Sequence, residues 1–401
     1  MDSSPDVADH RGRRIKRFAA HKMTQISPSF FILFLTITLS VAISSLTAPG
    51  DVAALKAFAV QIAPSSIPPF SCLATWNFSV DPCATPRTTN FLCGIQCSPD
   101  GTRVTSISLD SAGYRGKLAP LLSNLHLLEV LDISSNSFSG GVPSSLSSLF
   151  NLRFLSLNRN SLSYSLPSSL FANLTLLETL DLSFNRLSGE VPAFYFLKNL
   201  RRVDVSFNSF SGKVPKLPKS LIQFAAKGNM LTGPLNKSSF DGLNELEVIE
   251  LSGNRITGMV PWWVFDLQGL QQVNLANNSL TSVDVRKPRV GNVVVAVDLG
   301  FNEIEGEVPV NFAFFGGLAS LSMRYNKLSG MIPKELCRGR LRRLFLDGNY
   351  LNGKVPRGLV GLEAGSLGDN CLKPCPLNLD ICKPLQKSVA VCERVYGKNG
   401  G

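Results

Sequence analysis

The sequence predicts an α/β repeat protein, a right-handed solenoid of about twelve units with a disulfide-stapled cap at each end. Three observations carry this prediction. A pattern of the form LxxLxLxxNxLxGxVP returns between Val104 and Leu372. One asparagine recurs at intervals of 21 to 25 residues. Cysteines gather in two groups of four, one before the pattern and one after it, with Cys337 between them.

The clearest copies run from Leu128 to Pro143, Leu177 to Pro192, Leu246 to Pro261 and Leu341 to Pro356. The asparagine column is Asn136, Asn160, Asn185, Asn208, Asn229, Asn254, Asn278, Asn302, Asn326, Asn349 and Asn370. An opening copy around Val104, Ile107 and Leu109, with Ala112 in the asparagine position, makes twelve. This period and motif identify a leucine-rich repeat. The LxL core alternates side chains between interior and solvent, which predicts a short strand per repeat and a parallel sheet on the concave face. An asparagine has donors and an acceptor, so it can bridge adjacent coils where the chain turns inward. The glycines (Gly140, Gly189, Gly212, Gly233, Gly258, Gly306, Gly330, Gly353) suit a tight bend, and the Val-Pro or Ile-Pro that follows starts an extended stretch. Leucines beyond the proline, such as Leu146 and Leu149, are expected beneath the convex side. No unit buries its own apolar face, so the array needs a shielded end at each terminus.

Basic residues from Arg11 to Lys22 precede an uncharged run from Phe30 to Leu46, the pattern of a signal peptide over residues 1–48, with Met23 as an alternative start. Uncleaved, that run is at the short edge of a membrane anchor. Export suits the cysteines: Cys72, Cys83, Cys93 and Cys97 fall in a cap over 49–102, and Cys371, Cys375, Cys382 and Cys392 in a cap and tail over 371–401, flanking repeats over 103–370. Two disulfides per cluster are expected, with three pairings open in each. Cys337 reads as a half-buried small hydrophobe. Loss of 1–48 removes six basic and three acidic residues and lowers the net charge from +11 to +8. The excess charge serves solubility and also favours acidic partners such as anionic polysaccharide.

The LxGxVP variant resembles the plant-type class of receptor ectodomains and secreted inhibitors. Asp51 to Phe58 (DVAALKAF), Trp76, Asp81 to Cys83 (DPC) and Cys93 to Cys97 (CGIQC) resemble the N-terminal cap of plant leucine-rich-repeat receptor-like proteins. That resemblance covers about residues 51–392 and implies an amphipathic helix and a disulfide shielding the first coil. It is specific for fold and weakly specific for function. The chain departs from the family in three places: Phe91 and Leu92 stand where a tryptophan is usual, Tyr164 stands for a glycine in the third repeat, and the eighth repeat breaks after Leu280 into a basic stretch, Arg286 to Arg289.

Catalysis is not expected. Removing the leader leaves one histidine, His126, in a convex linker, and nucleotide-binding, zinc-protease and kinase signatures are missing from the sequence. No cofactor, metal or nucleic acid is implied, and the tail shows no C-terminal span. A binding face is expected instead. Its acidic column is Asp132, Asp181, Asp204, Glu250 and Asp298; its aromatic column is Phe184, Phe207, Phe301 and Tyr325; its basic column is Arg153, Arg201, Arg202, Arg342 and Arg343. Aromatic and arginine contacts suit a protein, peptide or glycan ligand. Four sequons, Asn77, Asn173, Asn236 and Asn277, fit a glycoprotein of the secretory route. The sequence therefore predicts a secreted, apoplastic or cell-wall recognition protein that signals, if at all, through a partner receptor kinase, as in plant defence. The alternatives are an inhibitor of a wall-degrading enzyme, of the polygalacturonase-inhibitor kind, and a passive wall component.

Overall fold

A computed structural model describes residues 46–83, 94–359, 361–375 and 380–397. The expected leader, apart from its last three residues, and Cys93 lie outside them.

The LxL cores form short strands, most with a buried central side chain, which lies between two half-exposed ones at Val130–Asp132, Thr179–Asp181 and Val248–Glu250. Twelve such strands, from Val104–Ser108 to Ala364–Ser366, lie side by side in one parallel sheet, one per repeat. A further strand, Gly94–Cys97, pairs antiparallel with Val104–Ser108 and closes the first edge. Register is uniform: Leu180 faces Val203, and Val203 faces Phe224. Each column of the sequence is therefore a column in space, with Leu131, Leu155 and Leu180 stacked in the core.

Eight further strands follow the asparagines in a second sheet, from Arg115–Gly116 to Ser279–Val283. The LxGxVP glycines of these repeats have φ between 78° and 84°, a region that L side chains avoid, and Gly306, Gly330 and Gly353 beyond this sheet keep φ between 73° and 91°. Tyr164 keeps the same turn with φ of 70°. The bend is thus set by neighbouring coils, and tyrosine carries a backbone strain of about 1–2 kcal/mol there. The eighth repeat pairs with a register shift at Gly258/Met259, and the second sheet stops at it. Short 3-10 turns such as Ser144–Ser148 cover the other side, where Leu146 and Leu149 are fully buried.

The asparagines form the expected ladder. Asn160 accepts from the Phe138 N–H at 2.9 Å and donates to the carbonyls of Ile133, Leu157 and Asn158. Asn254, Asn302 and Asn370 repeat the pattern further along the solenoid. Buried backbone groups at each inward turn are thereby satisfied.

At the N-terminus, helix α1 (Pro49–Val60) packs Ala54, Leu55 and Phe58 over the first coil. Its Asp51, 1% exposed, accepts a two-pronged hydrogen bond from Arg103 and another from the Val104 N–H. Cys83 pairs with Cys97, and Cys72 is also disulfide-bonded. At the other end Cys371–Cys392 and Cys375–Cys382 staple the cap, and helix α2 (Val389–Tyr396) is tied back by Tyr396, whose hydroxyl accepts from Gly330 N–H and donates to the Tyr350 carbonyl. Cys337 is a half-buried free thiol whose pKa burial pushes up.

Candidate ligand-binding face

The acidic column occupies the last position of its strands on the solvent side of the main sheet, so its members stand in register, Asp181 and Asp204 one coil apart and the others separated by Ser156, Ala225 and Asn274. Each has a structural duty. Oδ1 of Asp132, Asp181, Asp204 and Asp298 accepts the backbone N–H two residues on, at 2.8–2.9 Å, and Glu250 does the same through Oε1 at 3.0 Å. The second oxygens of Asp181 and Glu250 are held by Asn158 and Asn274. Those of Asp132, Asp204 and Asp298 have no hydrogen-bond partner among the described residues and remain available. Burial pushes the Asp204 carboxyl above its ordinary range, and the charges of Asp181 and Glu250 add to that.

The aromatic column lies one turn further along, just before the asparagines, and its backbone is unusual. Every residue of that column is left-handed, with φ between 50° and 73°: Ser135, Arg159, Phe184, Phe207, Gly228, Gly253, Asn277, Phe301, Tyr325, Gly348 and Asp369. Phenylalanine and tyrosine rarely tolerate this conformation. Their rings are not separate anchors but stacks: Phe184 on Phe207 with centroids 4.3 Å apart, and Phe301 on Tyr325 at 4.8 Å. Each stack ends on a glycine. A Cβ on Gly228 would lie 2.9 Å from Phe207, and one on Gly348 2.5 Å from Tyr325. Cations flank the stacks, Arg159 at 4.4 Å from the Phe184 ring centre and Lys227 at 5.9 Å from that of Phe207.

The basic column divides in two, which corrects the expectation of a single stripe. Arg202 and Arg343 are on the first position of their strands, on the sheet face. Arg153, Arg201 and Arg342 precede the strands, at the sheet's rim, and reach along it to Glu178, Glu245 and Glu363 at 2.7, 3.5 and 3.3 Å. Those exposed pairs lace neighbouring coils, or for Arg201–Glu245 reach past one coil to the next, and contribute little energy.

Arg324, which the pattern did not single out, is the cation at the centre. Its Nε and Nη2 donate to Oδ2 of Asp347 at 3.2 and 2.8 Å, and its guanidinium carbon lies 5.4–5.9 Å from the ring centres of Phe301, Tyr325 and Phe345. Asp347 is 1% exposed, and its Oδ1 lacks a hydrogen-bond partner among the described residues. Beside this group a depression of about 340 Å³ opens across repeats seven to eleven, lined by Glu250, Asn274, Asp298, Phe301, Ser320, Ser322, Arg324 and Phe345. One wall is acidic and accepts hydrogen bonds; the other is aromatic and cationic. Lys227, Arg324 and Asp347 escaped the sequence reading because they stand in a column of otherwise small or polar residues, whereas Arg159 departs from the aromatic column and Asn274 and Phe345 from the acidic one. The sequons Asn77, Asn173, Asn236 and Asn277 are exposed, and Asn277 lies in the left-handed column of this same face.

Comparison with known proteins gives the same class. The family model described as leucine rich repeat matches residues 228–284, and a second model of that description matches 127–149, 151–173 and 176–196. Receptor-like protein 18 of Arabidopsis thaliana is 32% identical over 156 residues, 35% of this chain and 19% of that protein, so the match spans about a fifth of the relative's length. The PEPR1–AtPEP1 complex superposes with a TM-score of 0.71 at 28% identity, over 81% of this chain and 45% of that one. A plant peptide hormone receptor, RGFR1 in complex with RGF2, gives 0.56 at 25% identity, over 67% of this chain and 48% of that one. The fold is a leucine-rich-repeat solenoid, and over these stretches the chain is similar to plant receptor-like proteins and receptor structures.

Proposed function

We propose that this chain is an extracellular recognition protein that binds a peptide or an extended protein segment on its main-sheet face, centred on repeats seven to eleven. The observation that carries the reading is the Arg324–Asp347 pair set among Phe301, Tyr325 and Phe345 beside an acidic wall. Such a site stacks an apolar ligand side chain on the rings, offers the remaining Arg324 nitrogen to a carboxylate or carbonyl, and receives N–H or ammonium groups at Asp298. Aromatic and arginine anchors concentrate binding energy in this way. One of the structures above is a plant peptide hormone receptor, RGFR1 in complex with RGF2, which supports a peptide as the ligand class. Asp132, Asp181, Phe184 and Phe207 extend the face toward the N-terminus, with Arg153, Arg201 and Arg342 along its rim.

In this reading the leader exports the chain, the sequons Asn77, Asn173 and Asn236 carry glycans away from the face, and signalling is left to a partner kinase. The protein then acts by contact, without chemistry of its own. Selection of a random-peptide display library on the immobilised protein tests it. Enriched peptides are expected to lose about thirtyfold in affinity on Arg324→Ala or Phe301→Ala, the effect of removing one anchor of about 2 kcal/mol. Peptides that bind both variants as they bind the wild type would place the site elsewhere.

A further inference from the structure

A second surface, away from the main sheet, has a different chemistry. The third and fourth asparagine intervals, Asn185 to Asn208 and Asn208 to Asn229, are 23 and 21 residues long. The shortfall falls on the stretch after the proline. Among the described residues no 3-10 turn lies between Ser148 and Lys237, and the coils are tied directly, the Phe194 N–H donating to the Lys216 carbonyl and the Leu217 N–H to that of Ser239. Short coils beside longer ones leave a recess. It is a groove of about 950 Å³ crossing four repeats, with Leu166, Val191, Val214 and Pro215 on its floor and Tyr195 and Lys213 at its sides.

Tyr195 is 56% exposed, braced edge-on by Phe196 at 5.4 Å, with the Lys216 ammonium 5.4 Å from its ring centre. Lys213, Lys216 and Lys219 are exposed, and none is in an ion pair among the described residues. Pro215 and Pro218 stand between them in a run that is neither helix nor strand, so lysines recur at every third residue, with Lys213 at a bend and Lys219 at a turn. Glu190 is the one carboxylate in the groove's lining. The arrangement is a run of cations without ion pairs among the described residues, beside an exposed ring.

We propose that this flank groove binds a linear polysaccharide of uronate units, with Tyr195 stacking on a sugar face and Lys213, Lys216 and Lys219 pairing with successive carboxylates. A polymer that carries a carboxylate on every unit matches a run of several unpaired cations. An open groove with a half-exposed ring suits the CH face of a sugar better than a protein hot spot, which needs its anchor enclosed. The site is independent of the peptide-binding reading of the main-sheet face.

Titration calorimetry on the exported full chain tests the proposal with three probes: a polyuronate oligosaccharide, its methyl ester and a neutral glucan. The polyuronate is expected to bind at least tenfold more tightly than its ester, and the glucan not to register. Lys213→Ala/Lys216→Ala is expected to weaken polyuronate binding about tenfold, each exposed charge contact being worth a few-fold, and to flatten its salt dependence. Tyr195→Ala is expected to weaken it several-fold at unchanged salt dependence, with Tyr195→Phe restoring it. The remote exposed pair Lys334→Ala/Lys354→Ala and the sheet-face variant Arg324→Ala are expected to bind polyuronate as wild type does. Equal affinity for ester and polyuronate would overturn the proposal. So would an equal loss in the remote pair, which would reduce the effect to net charge, or tighter binding of polyglutamate than of polyuronate, which would assign the groove to an acidic protein.

Discussion

Replacing Asn302 by alanine tests the ladder at one rung. Asn302 accepts the Leu280 N–H at 3.0 Å and donates to the carbonyls of Leu275, Leu299 and Gly300 at 3.0–3.1 Å, all in a buried turn. The three carbonyls keep other donors, namely Asn278, Asn326 and the Asn277 N–H. The Leu280 N–H has no other partner among the described residues and is left buried. An orphaned donor costs about 1–3 kcal/mol, and weakened bonds at three carbonyls add about 1 kcal/mol. The expected loss is about 3 kcal/mol. Urea unfolding followed by circular dichroism measures it, with Asn244→Ala as a control, since that exposed residue is outside the ladder and should change stability by less than about 0.5 kcal/mol. A loss at Asn302 no larger than the control would refute the idea that these asparagines satisfy the turns, whatever their geometry.

Three further outcomes are expected. Asp204→Asn keeps the cap on the Ser206 N–H, as Asn274 does for Ala276, while removing a carboxyl whose pKa is raised by burial. A raised folded-state value means the charged form destabilises the native chain above that value. The variant should therefore be more stable than wild type at pH 7, with the gain fading as the pH falls toward the unfolded value of 3.8; a pH-independent loss in thermal melts would contradict this. Gly348→Ala puts a Cβ 2.5 Å from the Tyr325 ring in a backbone with φ of 73°, so melting should report a loss of at least about 1–2 kcal/mol together with a change in the aromatic circular dichroism, and an unchanged spectrum would argue against the stack. Replacing Cys371 and Cys392 by serine opens a loop of sequence separation 21; the expected loss is about 3 kcal/mol, read by denaturant unfolding, and a midpoint unmoved from wild type would show the cap to be dispensable.

The repeat was legible because its columns carry single chemistries. Leucine at the strand centres and asparagine at the turns each have one physical task, and stacking in register repeats that task in every coil. The acidic column was legible as a position but not as a cap, since its bond to the backbone two residues on follows from the turn geometry rather than from spacing. The left-handed column was hidden by its mixture of Ser135, Arg159, Phe184, Asn277 and Asp369; the glycines at Gly228, Gly253 and Gly348 were its one signal. Arg153 and Arg202 looked alike in sequence, yet one position separates a rim ion pair from the sheet face. The Arg324 centre depends on which side chains adjoin across three coils, and the flank groove on which coils are shorter than their neighbours. Both are relations between repeats, invisible within any one of them.

The central claim, that the main-sheet face takes the ligand, is tested most directly by photocrosslinking with p-benzoylphenylalanine placed at Phe301, on that face, or at Phe314, an exposed ring on the opposite side beside Lys287. The label at Phe301 is predicted to capture a library-selected peptide, with competition by unlabelled peptide, and the label at Phe314 to capture none. Capture at Phe314 with none at Phe301 would contradict the account.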